Sequence, residues 1–418
     1  MSEKIMRIGI LGAGRGSMFY SVFQSIPGAQ LTAVCDHNPE LYGRLQNMFD
    51  DSVAVFNNFD DFIDSGLMDA VMLCNYFTEH VPYAVKAMEH GIHVLSECTP
   101  ALTMAECVLL CRTVEKTGCK YMLAENYPFL SCNAEMKRRY DTGTLGRALY
   151  CEGEYNHPVT VYDKNLGAPG RLHWRNWTPT TYYLTHSLGP LLYITGNELK
   201  AVNCKSIFAP ENLKGTACRV GDLASIMLCE MKDGSLARVT GCSQWGGHGV
   251  LFRICGEKGN MQNVRGTVND VRIQYDSWNI PEGGSEVQTV RAKWFEDPEM
   301  NKLAVNAGHD GADYWVAYYF TKYVNEDVEP FFNVYRSVSL SATAIQALRS
   351  SINGGKEYPI PDFRNEEERK LWENDNDSPY PDENGNATMP CCSHPDYEPT
   401  EEDYANAERD WDKAGLKV

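Results

Sequence analysis

The stretch IGILGAGRGS, residues 8–17, places Gly12 and Gly14 directly after an apolar run and ahead of a helical pattern. The first glycine permits a tight turn. The second, having no side chain, lets a pyrophosphate approach the backbone at a helix N-terminus. The third position of the usual glycine pattern is Ser17, so the motif taken alone is a weak signal. Its context strengthens it. The next strand-like run ends in Cys35-Asp36, 24 residues after Gly12. An acid there accepts hydrogen bonds from both ribose hydroxyls of NAD and repels the 2′-phosphate of NADP. The HNPE that follows contains no Arg or Lys to reverse that preference. The reading is a dinucleotide site that favours NAD.

The pattern around this turn extends over the first 125 residues. Strand-like runs at Met6–Leu11, Gln30–Cys35, Ala70–Leu73, Ile92–Leu95 and Lys120–Ala124 alternate with amphipathic stretches such as Pro82–His90 and Met104–Thr117. That alternation predicts βαβ units and a parallel sheet buried on both faces. After Asn126 the rhythm changes. A helix is predicted over Asn133–Thr142, then strands at Ala148–His157, Ser225–Met231, Ser235–Cys242, Leu251–Cys255 and Val271–Tyr275, then helices over Asp310–Val324 and Tyr335–Ile352. The expected class is α/β, in three parts. A Rossmann dinucleotide-binding domain spans residues 1–125, and a substrate-binding α/β domain with a large, mostly antiparallel open sheet spans 126–360. An acidic extension rich in Pro, Asn, Asp and Glu covers 361–418.

Composition narrows the function classes. A net charge of −18 over 418 residues disfavours nucleic acid and anionic membrane surfaces, which attract basic proteins. No run of about 18 apolar residues suggests a membrane span. The opening MSEKIMRIGILGAG enters a strand pattern without a secretory apolar region, so a cytoplasmic location is expected. The fifteen cysteines include no CxxC pair, and neither Cys107 with Cys111 nor Cys391-Cys392 has nearby ligand partners. Reduced thiols and no bound metal are expected.

Several motifs taken together resemble the Gfo/Idh/MocA oxidoreductases over about residues 5–355: the glycine turn, ECTPALTMAE, EKTGCKYMLAEN, KRRYDTGTLGRALY and RICGEKGNMQ. The resemblance implies an NAD(P) Rossmann domain followed by an α/β domain whose open sheet builds a sugar site and often an oligomer interface, so a homo-oligomer is expected. It further implies cofactor contacts from Gly12, Gly14, Arg15, Gly16, Ser17, Asp36, Asn75, His80, Glu97, Cys98 and Asn126. Dehydrogenases of that superfamily carry Glu-Lys-Pro where this chain reads Glu97-Cys98-Thr99, and an Asp where it reads Tyr182, four residues before His186. Two of the three usual dehydrogenase groups are therefore replaced.

A narrower resemblance is to glycoside hydrolase family 109, the NAD-dependent branch that also lacks the lysine. It rests on the Tyr183–Pro190 run YLTHSLGP, the Glu152–His157 run EGEYNH, the Gly308–Asp313 run GHDGAD, and Glu125-Asn126. The departures from that branch are Leu184 for proline and Ser187 for glycine. Residues two apart on a strand share a face, as do residues three apart on a helix. Tyr155 with His157, and Tyr183 with His186, are thus expected to converge. Gly153 should leave room beside them.

The resemblance implies redox-assisted cleavage of a pyranoside oxidised at C3. Tyr155 would be the base at C2, His186 and Tyr183 would handle the C3 hydroxyl, and Glu125 and His157 would orient them. Substrate contacts are expected from Arg175, Trp245, His248, His309 and Asp313, although Trp245 is equally compatible with packing on its own domain. Two other readings stay open: a plain NAD-dependent sugar or glycoside 3-dehydrogenase, and a catalytically silent sensor of NAD or sugar.

Overall fold

The apolar run before the glycine turn is the central strand of a parallel sheet. Strands β1 (Met6–Leu11), β2 (Ala29–Cys35), β3 (Ala54–Phe56), β4 (Ala70–Leu73), β5 (His93–Ser96) and β6 (Tyr121–Leu123) are arranged in the order β3-β2-β1-β4-β5-β6. All neighbouring strands run parallel. This is the doubly wound order of dinucleotide-binding sheets, with its switch point between β1 and β4. The strands are apolar and buried because helices such as His80–Glu89 and Met104–Thr117 cover them. β3 has three half-buried residues, too short a run to show in the sequence pattern.

The computed structural model describes residues 4–49, 51–159, 168–210, 221–294 and 297–416. The chain forms two units, each built from three segments. The first comprises Met1–Ser131, Trp294–Ser339 and Asp362–Asn374; the second comprises Cys132–Lys293, Leu340–Pro361 and Asp375–Val418. The acidic chain after residue 361 is divided between them. In the first unit, Arg369 grips Glu115 through both terminal nitrogens, at 2.5 and 2.7 Å. In the second, Ser393 donates to Asp222 through its hydroxyl (2.6 Å) and its backbone N–H (3.0 Å), and His394 stacks on Phe208 with ring centres 3.8 Å apart.

The second unit contains a nine-stranded sheet. Its strands are β7 (Ala148–Asn156), β8 (Leu199–Ile207), β9 (Ala224–Met231), β10 (Leu236–Ser243), β11 (Gly249–Gly256), β12 (Gly259–Asn263), β13 (Asp270–Tyr275), β14 (Val287–Arg291) and β15 (Tyr358–Pro359). They lie in the order β14-β13-β12-β11-β7-β10-β9-β8-β15, antiparallel throughout except for the β7–β10 pair. The mostly antiparallel sheet expected from sequence is present. β8, β12, β14 and β15 were not anticipated, because their half-polar faces lack a clear period.

Two glycines set how closely the following chain lies on this sheet. A Cβ built on Gly153 of β7 would sit 2.1 Å from the Ser187 carbonyl oxygen, and one on Gly241 of β10 would sit 2.0 Å from that of Thr180. The space at Gly153 is thus filled by helix Thr185–Thr195 rather than left open for a ligand. Ser187, the departure from glycine, anchors the same contact by donating its hydroxyl to the Thr240 carbonyl at 2.5 Å. Because backbone cannot move aside as a flexible side chain can, Gly153→Ala should destabilise the second unit by about 1–3 kcal/mol. Chemical denaturation with an unchanged m-value would register that loss.

Candidate active site

In the first unit, the glycine turn is shaped for a dinucleotide. Gly12 has φ +91, and a Cβ there would meet the backbone of Cys74 at 2.6 Å, so only glycine fits. The side-chain position at Gly14 faces open space, with no atom within 4 Å. Asp36, at the end of β2, accepts from the backbone N–H of Ala13 (2.6 Å) and of Asn38 (2.8 Å), one bond on each carboxylate oxygen. Each oxygen keeps a lone pair for a ribose hydroxyl. Past β4 and β6, the amide oxygens of Asn75 and Asn126 are buried without a hydrogen-bond partner among the described residues. Open space before the turn and orphaned acceptors beyond it suit a ligand rich in hydroxyl and amide donors.

Other expected cofactor residues bind one another. Arg15 donates from Nε to Glu97 at 2.8 Å and from both terminal nitrogens to Asp313 at 2.9 Å. Its guanidinium is spent on these carboxylates, so a cofactor contact at position 15 comes from the backbone. Asp313 is fully buried, and it also accepts from Asn126 Nδ2 (2.9 Å) and His309 Nδ1 (3.0 Å). The expectation that Asp313 binds substrate is therefore corrected: all four in-plane acceptor positions face protein donors. His309 and Asp310 both have φ +51, an uncommon conformation for residues with side chains. It brings His309 onto Asp313 while leaving the imidazole 37% exposed.

His80 is also corrected. It is buried, with Nδ1 3.2 Å from the Thr99 carbonyl and Nε2 3.3 Å from that of Asn75. It holds the loops after β4 and β5 in place. Burial pushes its pKa down to about 4, so it is neutral at pH 7 and donates to one carbonyl at a time. Cys98 donates its thiol to Glu125 Oε2 at 3.0 Å, and Tyr127 N–H bonds the other Glu125 oxygen at 3.1 Å.

In the second unit, the expected Tyr and His residues converge. The Tyr155 ring meets His186 edge-on at 4.8 Å and lies 5.5 Å from His157. His157 meets His248 edge-on at 4.7 Å, and Tyr183 lies 6.0 Å from His186. Tyr155 and His157 share a face because strand pairing continues through His157 N–H, which donates to Ser243 O at 2.9 Å. Tyr183 and His186 are not on one helix as predicted. Tyr183 ends the 3₁₀ turn Thr180–Tyr183, and His186 opens the helix Thr185–Thr195.

Tyr155, His157, Tyr183 and Arg175 line a pocket together with Thr178 and Gln244, which sequence reasoning did not single out. Gln244 was legible in principle, two residues beyond Cys242 on the same strand face; its Oε1 accepts from Val159 N–H at 3.0 Å. Arg175 stacks its guanidinium on Trp174, 4.3 Å from the ring centre. Trp245 is half-buried in the adjacent loop but does not line this pocket. Tyr182, in the position of the dehydrogenase Asp, lies in the core against Tyr380 at 5.9 Å.

Comparisons with known proteins agree with both units. Residues 6–125 match the oxidoreductase family with an NAD-binding Rossmann fold, and residues 216–370 match the glycosyl hydrolase 109 C-terminal domain. The chain is 28% identical over 235 residues to glycosyl hydrolase family 109 protein 1 of Bacteroides fragilis, covering 51% of this chain and 49% of that protein. It thus spans about half the length of that relative. It is 22% identical over 410 residues to an alpha-N-acetylgalactosaminidase of Shewanella oneidensis, covering 88% and 86% of the two chains. Among solved structures, levoglucosan dehydrogenase with NADH and levoglucosan aligns at TM-score 0.71 and 18% identity, covering 86% of this chain and all of that one. An oxidoreductase of Agrobacterium radiobacter with NAD+, L-tartaric acid and magnesium aligns at TM-score 0.69 and 16% identity, covering 85% and 98%. At such identities the structures establish the fold.

These matches support the Gfo/Idh/MocA oxidoreductase superfamily, with NAD as cofactor. The match over residues 216–370 and the relatives of that name support the glycosyl hydrolase 109 branch. No helix among the described residues is long and apolar enough to cross a membrane.

Two expected outcomes follow for the first unit. A 2′-phosphate beside Asp36 adds a like-charge contact, so NADP+ should bind at least about tenfold more weakly than NAD+. Titration calorimetry on the cofactor-free protein should show this gap, and Asp36→Ser should narrow it. Burial disfavours the charged form of Asp313, but hydrogen bonds from His309 and Arg15, with the Arg15 charge, outweigh it and hold the carboxyl well below its usual range. The stabilisation is therefore present at neutral pH and is lost as pH falls below about 4, the unfolded value. Asp313→Ala should cost roughly 3–5 kcal/mol at pH 7 by leaving Arg15 without its main partner. Denaturant titrations should show that gap shrinking in acid.

Proposed function

We propose that this protein is an NAD-dependent, sugar-active enzyme that oxidises a pyranoside at C3 and cleaves its glycosidic bond by elimination and hydration. The observation that carries the reading is the edge-on contact of His186 with Tyr155, which lines a pocket together with Tyr183 and His157, in a chain where Cys98 replaces the dehydrogenase lysine. Proton handling then falls to tyrosine and histidine. The name of the Shewanella relative, a glycosidase acting on an N-acetylated sugar, supports the same reading.

Bound NAD+ supplies the hydride acceptor at C3 and, as NADH, returns the hydride. His186, aided by Tyr183, takes the proton of the C3 hydroxyl as the ketone forms. The ketone acidifies the C2 proton, which Tyr155 removes. The C1–O bond then breaks, and the departing alcohol receives a proton. Water adds its hydroxyl to C1 and a proton returns to C2. When the C3 carbonyl is reduced again, the net reaction is hydrolysis. No pair of carboxylates flanking the bond is required, which sets this route apart from ordinary glycosidases. Arg175 and Gln244, both lining the pocket, supply donors for ring hydroxyls or a C2 substituent.

Incubation with a panel of aryl glycosides in D₂O tests the scheme. Expected are aglycone release, deuterium at C2 and no net NADH. Tyr155→Phe and His186→Ala should each lower turnover by about 10²-fold or more. NADH accumulating with a keto product would instead identify a plain dehydrogenase, and full turnover by either variant would refute the assigned roles.

A further inference from the structure

Asn126, just past β6, is 4% exposed, and its Nδ2 donates to Asp313 Oδ1 at 2.9 Å. The amide orientation is set by this partner. Turning it over would bring the amide oxygen against a carboxylate, which only accepts. Asn126 Oδ1 is thereby left buried with no hydrogen-bond partner among the described residues. A buried amide oxygen lacking a donor is costly, and in a native site such an atom calls for an explanation.

The surrounding connections indicate a ligand. Asp313 holds Asn126 with one oxygen and, with both oxygens, the Arg15 guanidinium of the glycine turn; Arg15 in turn bonds Glu97 after β5. One buried carboxylate thus links the segments following β1, β5 and β6. In a doubly wound sheet the two halves each take one mononucleotide. Asp36 marks the β1–β3 half as the adenosine side, so β4–β6 takes the nicotinamide nucleotide. Asn75 Oδ1, past β4, also lacks a hydrogen-bond partner among the described residues of the same half.

We propose that Asp313 is a positioning residue of the dinucleotide site: it holds Asn126 so that the amide oxygen accepts a hydrogen bond from the nicotinamide nucleotide of NAD. Two donors of that nucleotide share the required chemistry, the carboxamide N–H and the ribose hydroxyls. The inference rests on NAD binding alone, and its test involves no sugar, so failure of the cleavage scheme would leave it untouched.

The experiment is titration calorimetry of the cofactor-free full chain with NAD+ and with its 3-acetylpyridine analogue, which has a methyl ketone in place of the carboxamide. Asn126→Ala should weaken NAD+ by about tenfold, the value of one well-placed buried hydrogen bond. If the donor is the carboxamide, the wild type discriminates against the analogue and Asn126→Ala does not. If it is a ribose hydroxyl, the variant weakens both ligands alike. Asp313→Asn should also weaken NAD+, and combining it with Asn126→Ala should add little, because the two act through one contact. Unchanged NAD+ affinity in Asn126→Ala would overturn the assignment of the amide. Full additivity in the double variant would overturn the positioning role of Asp313, since a purely structural effect has no reason to depend on Asn126.

Discussion

The carboxylate of Asp313 is the constraint on which the cofactor end of the first unit depends. It is fully buried, and it is tolerable there because four hydrogen bonds converge on it, two of them from one guanidinium. Such bidentate, charge-assisted contacts are among the strongest available to side chains, and their geometry leaves Arg15 little freedom. The consequence is functional as well as structural. The arginine beside the glycine turn is neutralised in place, so the turn offers a dinucleotide backbone N–H groups and the open space at Gly14 instead of a mobile cation. Asp313 lies in segment Trp294–Ser339, far along the chain from the strands it serves. The first unit is thus completed by a later part of the sequence.

In the second unit the comparable constraint is steric. Gly153 and Gly241 have no side chains, and backbone carbonyls occupy the positions where Cβ atoms would stand. This close approach lays the Thr180–Tyr183 turn and the helix Thr185–Thr195 against β7 and β10. From there, His186 and Tyr183 can meet the Tyr155 and His157 rings projecting from the strand. The Tyr–His group is assembled from two kinds of element, a strand with a period of two and a turn leading into a helix, and it requires both. Replacing the dehydrogenase lysine by Cys98 would be a loss in an ordinary member of the superfamily. Here the thiol engages the buried Glu125.

Much of this was legible in the amino-acid order. The strands Met6–Leu11 and Ala70–Leu73 and the helix Met104–Thr117 stand where their patterns placed them, because long apolar runs and strong periodicity leave few alternatives. Tyr155 beside His157 followed from alternation along one strand. Errors arose where a local rule met a tertiary one. Tyr183 and His186 were assigned to a single helix from their spacing, but Tyr183 ends a 3₁₀ turn and His186 lies in the helix that follows. Gly153 was taken to leave room for a ligand, whereas the room is filled by a helix. His80 and Asp313 were read as ligand contacts from motifs, yet both point into protein, since burial demands partners that motif spacing does not reveal.

By itself, then, the sequence determined the dinucleotide turn, the parallel character of the first sheet, the acid at Asp36 and the chemical types gathered for the site. These depend on local conformational limits and on the period of side chains along one element. Tertiary structure alone decided which polar groups are consumed inside the protein and which remain for a ligand. Arg15, Glu97 and Asp313 satisfy one another across as many as 298 residues of chain, while Asn126 keeps an oxygen unpaired among the described residues. A hydrogen-bond partner is fixed by distance in space, and no spacing in the sequence encodes that.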